Sequence, residues 1–375
     1  MVNAASLLNF GTTGLAVGDW LYSAYARTAP GYLPLDSYTT SYLVSSYPAL
    51  AAIVSPVVAP VTYAATARTV PSALYYGVTY GNGVFVAVGG FPSTAAATSP
   101  DGITWTARTL PTSQNWYSVE YGNGLFVAVG FSSTNAATTI YATSPDGITW
   151  TSRTFPSSQQ WYNVTYGNGR FVVVAQSGAA SLVSPDGISW TAGTLPSASL
   201  WSGLTYGNGV FVTIAYGSSA AAVSSDGITW VSSSIPFSSW VGLAYGNGVF
   251  VATSSVLGTL AATSPNGIDW TTRTLPSTAR WSSVTYGNNS FVAIAGFGTA
   301  SNAAATSPDG VTWTARTLPS SALWEDVVFG AGKFVAVINV VGTAAATIDY
   351  AVTATTFVLP VVPARFGTTA YVKAT

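Results

Sequence analysis

Short apolar-rich segments with alternating polar positions recur along most of this chain, and they restart at a nearly fixed interval. The tetrad Tyr-Gly-Asn-Gly stands at Tyr80, Tyr121, Tyr166, Tyr206 and Tyr245, becomes Tyr-Gly-Asn-Asn at Tyr286, and ends as Phe-Gly-Ala-Gly at Phe329, at spacings of 39 to 45 residues. Five residues before each tetrad stands an aromatic: Tyr75, Trp116, Trp161, Trp201, Trp240, Trp281 and Trp324. Period-two segments on either side of Gly-Asn-Gly predict a hairpin, because Gly and Asn accept the positive φ that tight hairpin turns impose. A small-residue segment such as Ala-Ala-Ala-Thr-Ser follows, then Ser-Pro-Asp-Gly, then a segment such as ITWTARTLP; Pro and Gly in that turn fit type I geometry, and the Asp or Ser side chain can cap local amides. Each repeat therefore predicts four short antiparallel strands, A to D, which is the pattern of a propeller blade.

The strands also count to a closed ring. Strand D is read at Ile103, Ile148, Ile188, Ile228, Ile268 and Val311, with a further copy, YAATARTVP, at the front of the array from Tyr63 to Pro71. The last repeat, Trp324 to about Thr347, has no Asp-Gly turn of its own, so the early strand is expected to complete it. The resulting expectation is an all-β, seven-bladed β-propeller with four-stranded blades over residues 60–350. It brings its two ends together and leaves no open sheet edge.

Composition narrows the partners. Lys and Arg number 11 and Asp and Glu 12 in 375 residues, with neither a basic stripe for phosphates nor an acidic run. Nucleic acid is not expected as a partner. Cysteine and histidine are absent, which removes disulfides, thiolate metal sites and imidazole catalysis. One Asp per blade at separate rims gathers no metal site, and no cofactor is expected. The amino-terminal segment lacks the basic and apolar regions of a secretory signal. The most apolar stretch, Ala49 to Val61, is short for a membrane crossing and is broken by Pro56 and Pro60, so no membrane span is expected.

Two resemblances follow from motifs. The turn SPDGITW at Ser99 and Ser144, with its variants at Ser184, Ser224, Ser264 and Ser307, resembles the Asp-box (BNR repeat) of sialidase-like propellers, where it is a structural hairpin. Before the array, Gly31, Leu33 and Asp36, followed by Ser45, Tyr47, Pro48, Leu50 and Ile53, resemble the opening of phage tail-collar domains, although Ser37 stands where that family usually has Gly. After the array, TTFVLP from Thr355 and the terminal YVKAT resemble later elements of the same tail proteins. This implies a discontinuous host module, residues 1–59 plus 351–375, into which the propeller is inserted. It also implies an extracellular virion protein of tail-fibre or adhesin type, partnered by other tail subunits and forming a homotrimer.

The candidate chemistry points to binding rather than turnover. Arg68, Arg108, Arg153, Arg273 and Arg316 share one repeat position, which argues for structure rather than for the arginine triad of sialidases. The propeller holds two Glu, Glu120 and Glu325, and Glu325 beside Asp326 is the one acidic constellation outside the turns. No catalytic residues are assigned, and the chain is expected not to be an enzyme. The D-to-A and B-to-C loops share the face on which the repeats differ. There Gln114, Asn115, Gln159 and Gln160 stand beside Tyr117 and Tyr162, amides beside aromatic rings of the kind that grip sugar hydroxyls and ring faces. The expected function is recognition of a host-surface glycan or other receptor. The alternatives are a purely structural tail or capsid decoration protein and, behind it, a glycosidase.

Overall fold

A computed structural model describes residues 20–23, 61–352 and 369–372. The chain divides into two compact units, Met1–Thr62 with Ala351–Thr375, and Tyr63–Tyr350. In the first, strands Trp20–Ser23 and Thr369–Val372 pair antiparallel, Trp20 opposite Val372. The tail-collar-like motifs from Gly31 to Ile53 and from Thr355 to Pro360 lie outside the described residues.

The second unit is built from strands, with no helix among its described residues. It contains five four-stranded sheets and one seven-stranded sheet. A typical sheet runs Trp201–Gly207, Val210–Ala215, Ser218–Ser224 and Val231–Ser238, each strand antiparallel to the next. The strand that opens each repeat lies innermost and packs beside its counterparts in the neighbouring repeats, so that these strands circle a central channel. The seven-stranded sheet joins two repeats through the 17-residue strand Thr106–Gly122, which pairs with Ser93–Ser99 by its first part and with Leu125–Ser132 by its second. Thr112 to Asn115, read from the sequence as a loop, is thus strand. The outer strands also start later than expected, at Thr106 rather than Ile103, because the Ser-Pro-Asp-Gly turn extends through the Trp.

Closure is provided by the strand Val61–Ala73, which forms one sheet with Gly342–Val352, Lys333–Ile338 and Trp324–Gly330. Arg68 Nε donates to Thr347 Oγ1 at 2.9 Å across this seam. The same bond joins Arg108 to Thr98, Arg153 to Thr143, Arg273 to Thr263 and Arg316 to Thr306. The repeated arginine therefore ties the outermost strand to its neighbour in each of these sheets.

Both turn types work through side-chain oxygens and left-handed backbone. Asn82, Asn123, Asn208 and Asn247 have φ between 46° and 48° and are each followed by a Gly that also has positive φ, the geometry of a type I′ hairpin. Their amides add a contact that the turn rule does not require: Asn82, Asn123, Asn208 and Asn247 donate to the carbonyls of Pro145, Pro185, Pro265 and Pro308 in the next repeat. In the other turn, Asp101 Oδ1 accepts from the amides of Ile103 and Thr104 at 2.8 and 2.9 Å, while Ser99 Oγ accepts from Gly102 N. Asn266, which replaces the Asp in its copy of this turn, accepts the same two bonds at 2.9 Å. Oxygen placement, not charge, is what this turn requires.

The tetrad has a packing role as well. A Cβ on Gly207 would lie 2.0 Å from the ring of Tyr245, one on Gly246 at 2.0 Å from Tyr286, and one on Gly287 at 2.0 Å from Phe329. The relation runs through every repeat and returns to its start, since Gly330 lies under Tyr80. Above this ring, Trp116, Trp161, Trp201, Trp240, Trp281 and Trp324 are completely buried between sheets. Trp201 packs on Val172, Val174 and Leu195 of the preceding sheet as well as on Phe211 and Ala222 of its own.

Candidate functional site

The residue that follows each buried aromatic is set by a β-bulge. Pairing skips from Tyr75 to Gly77, Trp116 to Ser118, Trp161 to Asn163, Trp201 to Gly203, Trp240 to Gly242, Trp281 to Ser283 and Trp324 to Asp326. The extra residue in each pair leaves the ladder, and a bulge re-aims its side chain. Here those residues, Tyr76, Tyr117, Tyr162, Ser202, Val241, Ser282 and Glu325, line a cavity of about 440 Å³ in the channel. The repeats are alike in the buried aromatic that precedes this position, Trp in all but the first, and unlike at the position itself.

The rim is lopsided. Tyr76 and Tyr117 stack with ring centroids 4.6 Å apart, and Tyr117 meets Tyr162 at 5.1 Å. Phe131 backs the arc, 4.5 Å from Tyr117 and 6.0 Å from Tyr162. Ser202, Val241 and Ser282 form the remainder, and Glu325 follows them beside Tyr76. Glu325 Oε2 accepts from Asn339 Nδ2 at 3.1 Å, and Asn339 is also a hydrogen-bond partner of Tyr76. Burial pushes the Tyr117 and Tyr162 phenols up, and the nearby Glu325 carboxylate pushes both the same way. The three tyrosines therefore remain neutral donors and acceptors across the ordinary pH range.

The carboxyls have separate employment. Asp326 spans three successive repeats: its Oδ2 accepts from Val78 N at 2.9 Å, and its Oδ1 accepts from Ser283 Oγ at 2.8 Å and from Val327 N. Ser118 makes the corresponding bond to Val164 N, so Asp326 elaborates a structural position. Both acids line the cavity, but Glu325 has its hydrogen bond within its own repeat, to Asn339. Glu120, deeper in the channel, accepts from Tyr121 N at 3.0 Å. Burial pushes Glu325 and Glu120 each up to about 7. Neither Lys nor Arg lines the cavity.

These carboxyls make stability depend on pH. Glu120 and Glu325 bind protons in the fold at pH values where the unfolded chain, at about 4.5, has lost them; their contribution is complete below 4.5 and declines as pH rises through 7. The turn aspartates act in the opposite sense. Hydrogen bonds from Ser189 N and then Ile188 N hold Asp186 at about 2, so its contribution is present above the ordinary 3.8 and is lost as pH falls toward 2. Thermal melts should therefore peak at about pH 4 to 5, with Glu120→Gln flattening the neutral limb. A melting temperature that climbs from pH 5 to pH 8 would contradict this.

The residues singled out from sequence divide. Tyr117 and Tyr162 come together in the arc. Asn115 is buried, its Oδ1 accepting from Phe91 N at 2.7 Å and its Nδ2 donating to Asn135 Oδ1 at 2.5 Å. Gln114 is 3% exposed, and its amide has no hydrogen-bond partner. Gln160 Nε2 donates to Asn135 O at 2.6 Å, and Gln159 ends the strand Thr151–Gln159, opposite Thr138. None of the four amides is among the residues lining the cavity. Tyr76, Phe131 and Asn339 were not singled out; Tyr76 could have been, because it stands one residue after the repeated aromatic, as Tyr117 and Tyr162 do.

No family model and no curated protein matches this chain. Among solved structures it is similar to virginiamycin B lyase from Staphylococcus aureus, at a TM-score of 0.66 and 14% identity over 77% of this chain and 99% of that one. It is also similar to YCF48 from Cyanidioschyzon merolae, at 0.59 and 14% over 76% and 98%, and to the WD40 β-propeller domain of Doa1, at 0.55 and 13% over 77% and 97%. At these identities the likeness shows the fold: a multi-bladed all-β propeller with four-stranded blades. It also corrects the expectation that the chain is not an enzyme, since the first of these structures is a lyase built on the same architecture. The expectation rested on absent histidine and on repeated arginines, which bear on particular chemistries and not on a channel whose carboxyls are poised near neutrality.

Proposed function

We propose that this chain is an adhesin-like virion tail protein whose propeller binds a host-surface glycan at the mouth of its channel. The single observation that carries the binding site is the arc of Tyr76, Tyr117 and Tyr162, continued by Glu325 beside Tyr76, on the cavity wall. Phenol hydroxyls and a carboxyl meet sugar hydroxyls, and aromatic rings meet the apolar faces of pyranoses. The virion assignment rests on the tail-collar-like motifs that bracket the array in sequence, with extracellular exposure, other tail subunits as neighbours and a homotrimeric state following from that resemblance. The seven-stranded sheet, taken as two blades sharing the strand Thr106–Gly122, gives the propeller seven blades, and its Ser-x-Asp-Gly turns are of Asp-box type.

The test is a glycan array probed with the intact protein and with Tyr117→Ala combined with Tyr162→Ala. Loss of two stacking rings should weaken binding at least about tenfold while the melting temperature stays within a few degrees. Unchanged glycan binding by the folded double variant would remove the site assignment, and a folded parent that binds no glycan would favour a structural decoration role. A second reading, acid–base chemistry on the bound saccharide, is favoured by the Glu325 carboxyl at about 7 within the cavity. It requires turnover of the array hits that Glu325→Gln abolishes.

A further inference from the structure

The cavity wall is informative about ligand charge. Its bulge-position ring contributes three phenols, two hydroxyls, one valine and one carboxyl, and no cationic side chain joins them. An anionic group, such as the carboxylate of an acidic sugar or a sulfate, would enter a mouth that offers it no counter-charge and would face Glu325 and, deeper, Glu120. A neutral saccharide would satisfy the phenols and could donate a hydroxyl to Glu325 beside Asn339, but it would bring that carboxyl no counter-charge. A cation satisfies the whole wall: aromatic rings attract it through their faces, and a carboxyl enclosed by protein gains the counter-ion that it otherwise lacks.

We infer that the group taken into the channel mouth is an ammonium carried on a saccharide, so that the preferred ligand is an amine-bearing sugar such as a glucosamine unit, held by the Tyr76–Tyr117–Tyr162 arc and Glu325. This deepens the glycan-binding reading and rests on it for the sugar, while the ammonium stands on the wall chemistry alone. The volume of about 440 Å³ matches a ligand of one or two sugar rings, within the range of small-molecule sites. Burial raises the Glu325 carboxyl, and an ammonium beside it would draw it back toward the ionised form.

The experiment is isothermal titration of the intact chain at pH 7 in low salt with three probes: a glucosamine tetrasaccharide, its N-acetylated counterpart and n-butylammonium. The amine oligosaccharide should bind at least about tenfold tighter than the acetylated one, a preference that added salt weakens and that Glu325→Gln reduces to under about threefold. Gln keeps the shape of the protonated side chain and can still accept from Asn339, and a melt confirms that the variant is folded. Equal or tighter binding of the acetylated sugar, dependent on Tyr117, overturns the ammonium and leaves the glycan reading standing. Binding of n-butylammonium, dependent on Glu325, with neither sugar bound, retains the ammonium and overturns the glycan. Binding of none of the three overturns both.

Discussion

Deleting residues 62–70 is expected to convert a soluble propeller into an aggregating protein. The strand Val61–Ala73 completes the sheet of Gly342–Val352, Lys333–Ile338 and Trp324–Gly330. Its loss bares the strand Gly342–Val352 as a sheet edge, removes Val70 from the apolar cluster of Tyr75, Val78, Ala87 and Val337, and removes the Arg68–Thr347 bond. An exposed, apolar edge is a template for pairing with another chain. Size-exclusion chromatography with light scattering checks the expectation, and a monodisperse species with the parent's oligomeric state and melting temperature would mean that the seam adds nothing to the ring.

Trp201→Ala should destabilise the protein by about 3–5 kcal/mol, the range for removing a fully buried large aromatic. Its ring is 0% exposed, its Nε1 donates to Gly178 O at 3.1 Å, and it bridges two sheets rather than filling one. Urea unfolding of the parent and variant provides the measurement. Leu200→Ala, at the adjacent residue but 48% exposed, should stay within about 0.5 kcal/mol and serves as the control. Equal effects at the two positions would show that the sheets fold independently of their mutual packing.

Much of this architecture is legible in the sequence because repetition multiplies weak signals. A single Tyr-Gly-Asn-Gly is an ordinary hairpin turn, but the same tetrad at Tyr80, Tyr121, Tyr166, Tyr206 and Tyr245 fixes strand order, and the unpaired copy of the outer strand at Tyr63 to Pro71 announces the seam. What repetition hides is the exception. The bulge places one residue per repeat in the channel, and a bulge leaves no mark on an apolar pattern, so Tyr76 reads as a neighbour of a core aromatic. Gln114 and Asn115 mislead for the converse reason. Polar residues between two strand patterns read as loop, whereas Thr106–Gly122 runs straight through them, pairs Gln114 with both Ser93 and Ser132, and buries both amides. Glu325 is visible in sequence as a rare acid, but the sequence does not show that Glu325 bonds Asn339 of its own repeat while Asp326 ties together the repeats on either side.

The glycine beneath each tetrad aromatic bears on how such a molecule changes over evolutionary time. Every repeat offers a glycine at one side and a ring at the other, and Gly330 beneath Tyr80 closes the circle with the same joint used elsewhere. Joints of this kind are head-to-tail, like the contacts of a cyclic oligomer, with the chain serving as tether. New termini could therefore be opened in any Asn-Gly turn once the present ends were linked. Duplication or loss of genetic material would be tolerated only in whole repeats, since a partial one leaves a ring without its glycine. Between such events the bulge position can vary without touching the glycine–ring joint, although Ser202 and the stacked tyrosines there do reach the neighbouring repeat. The same ring could thus acquire a new rim without renegotiating its frame.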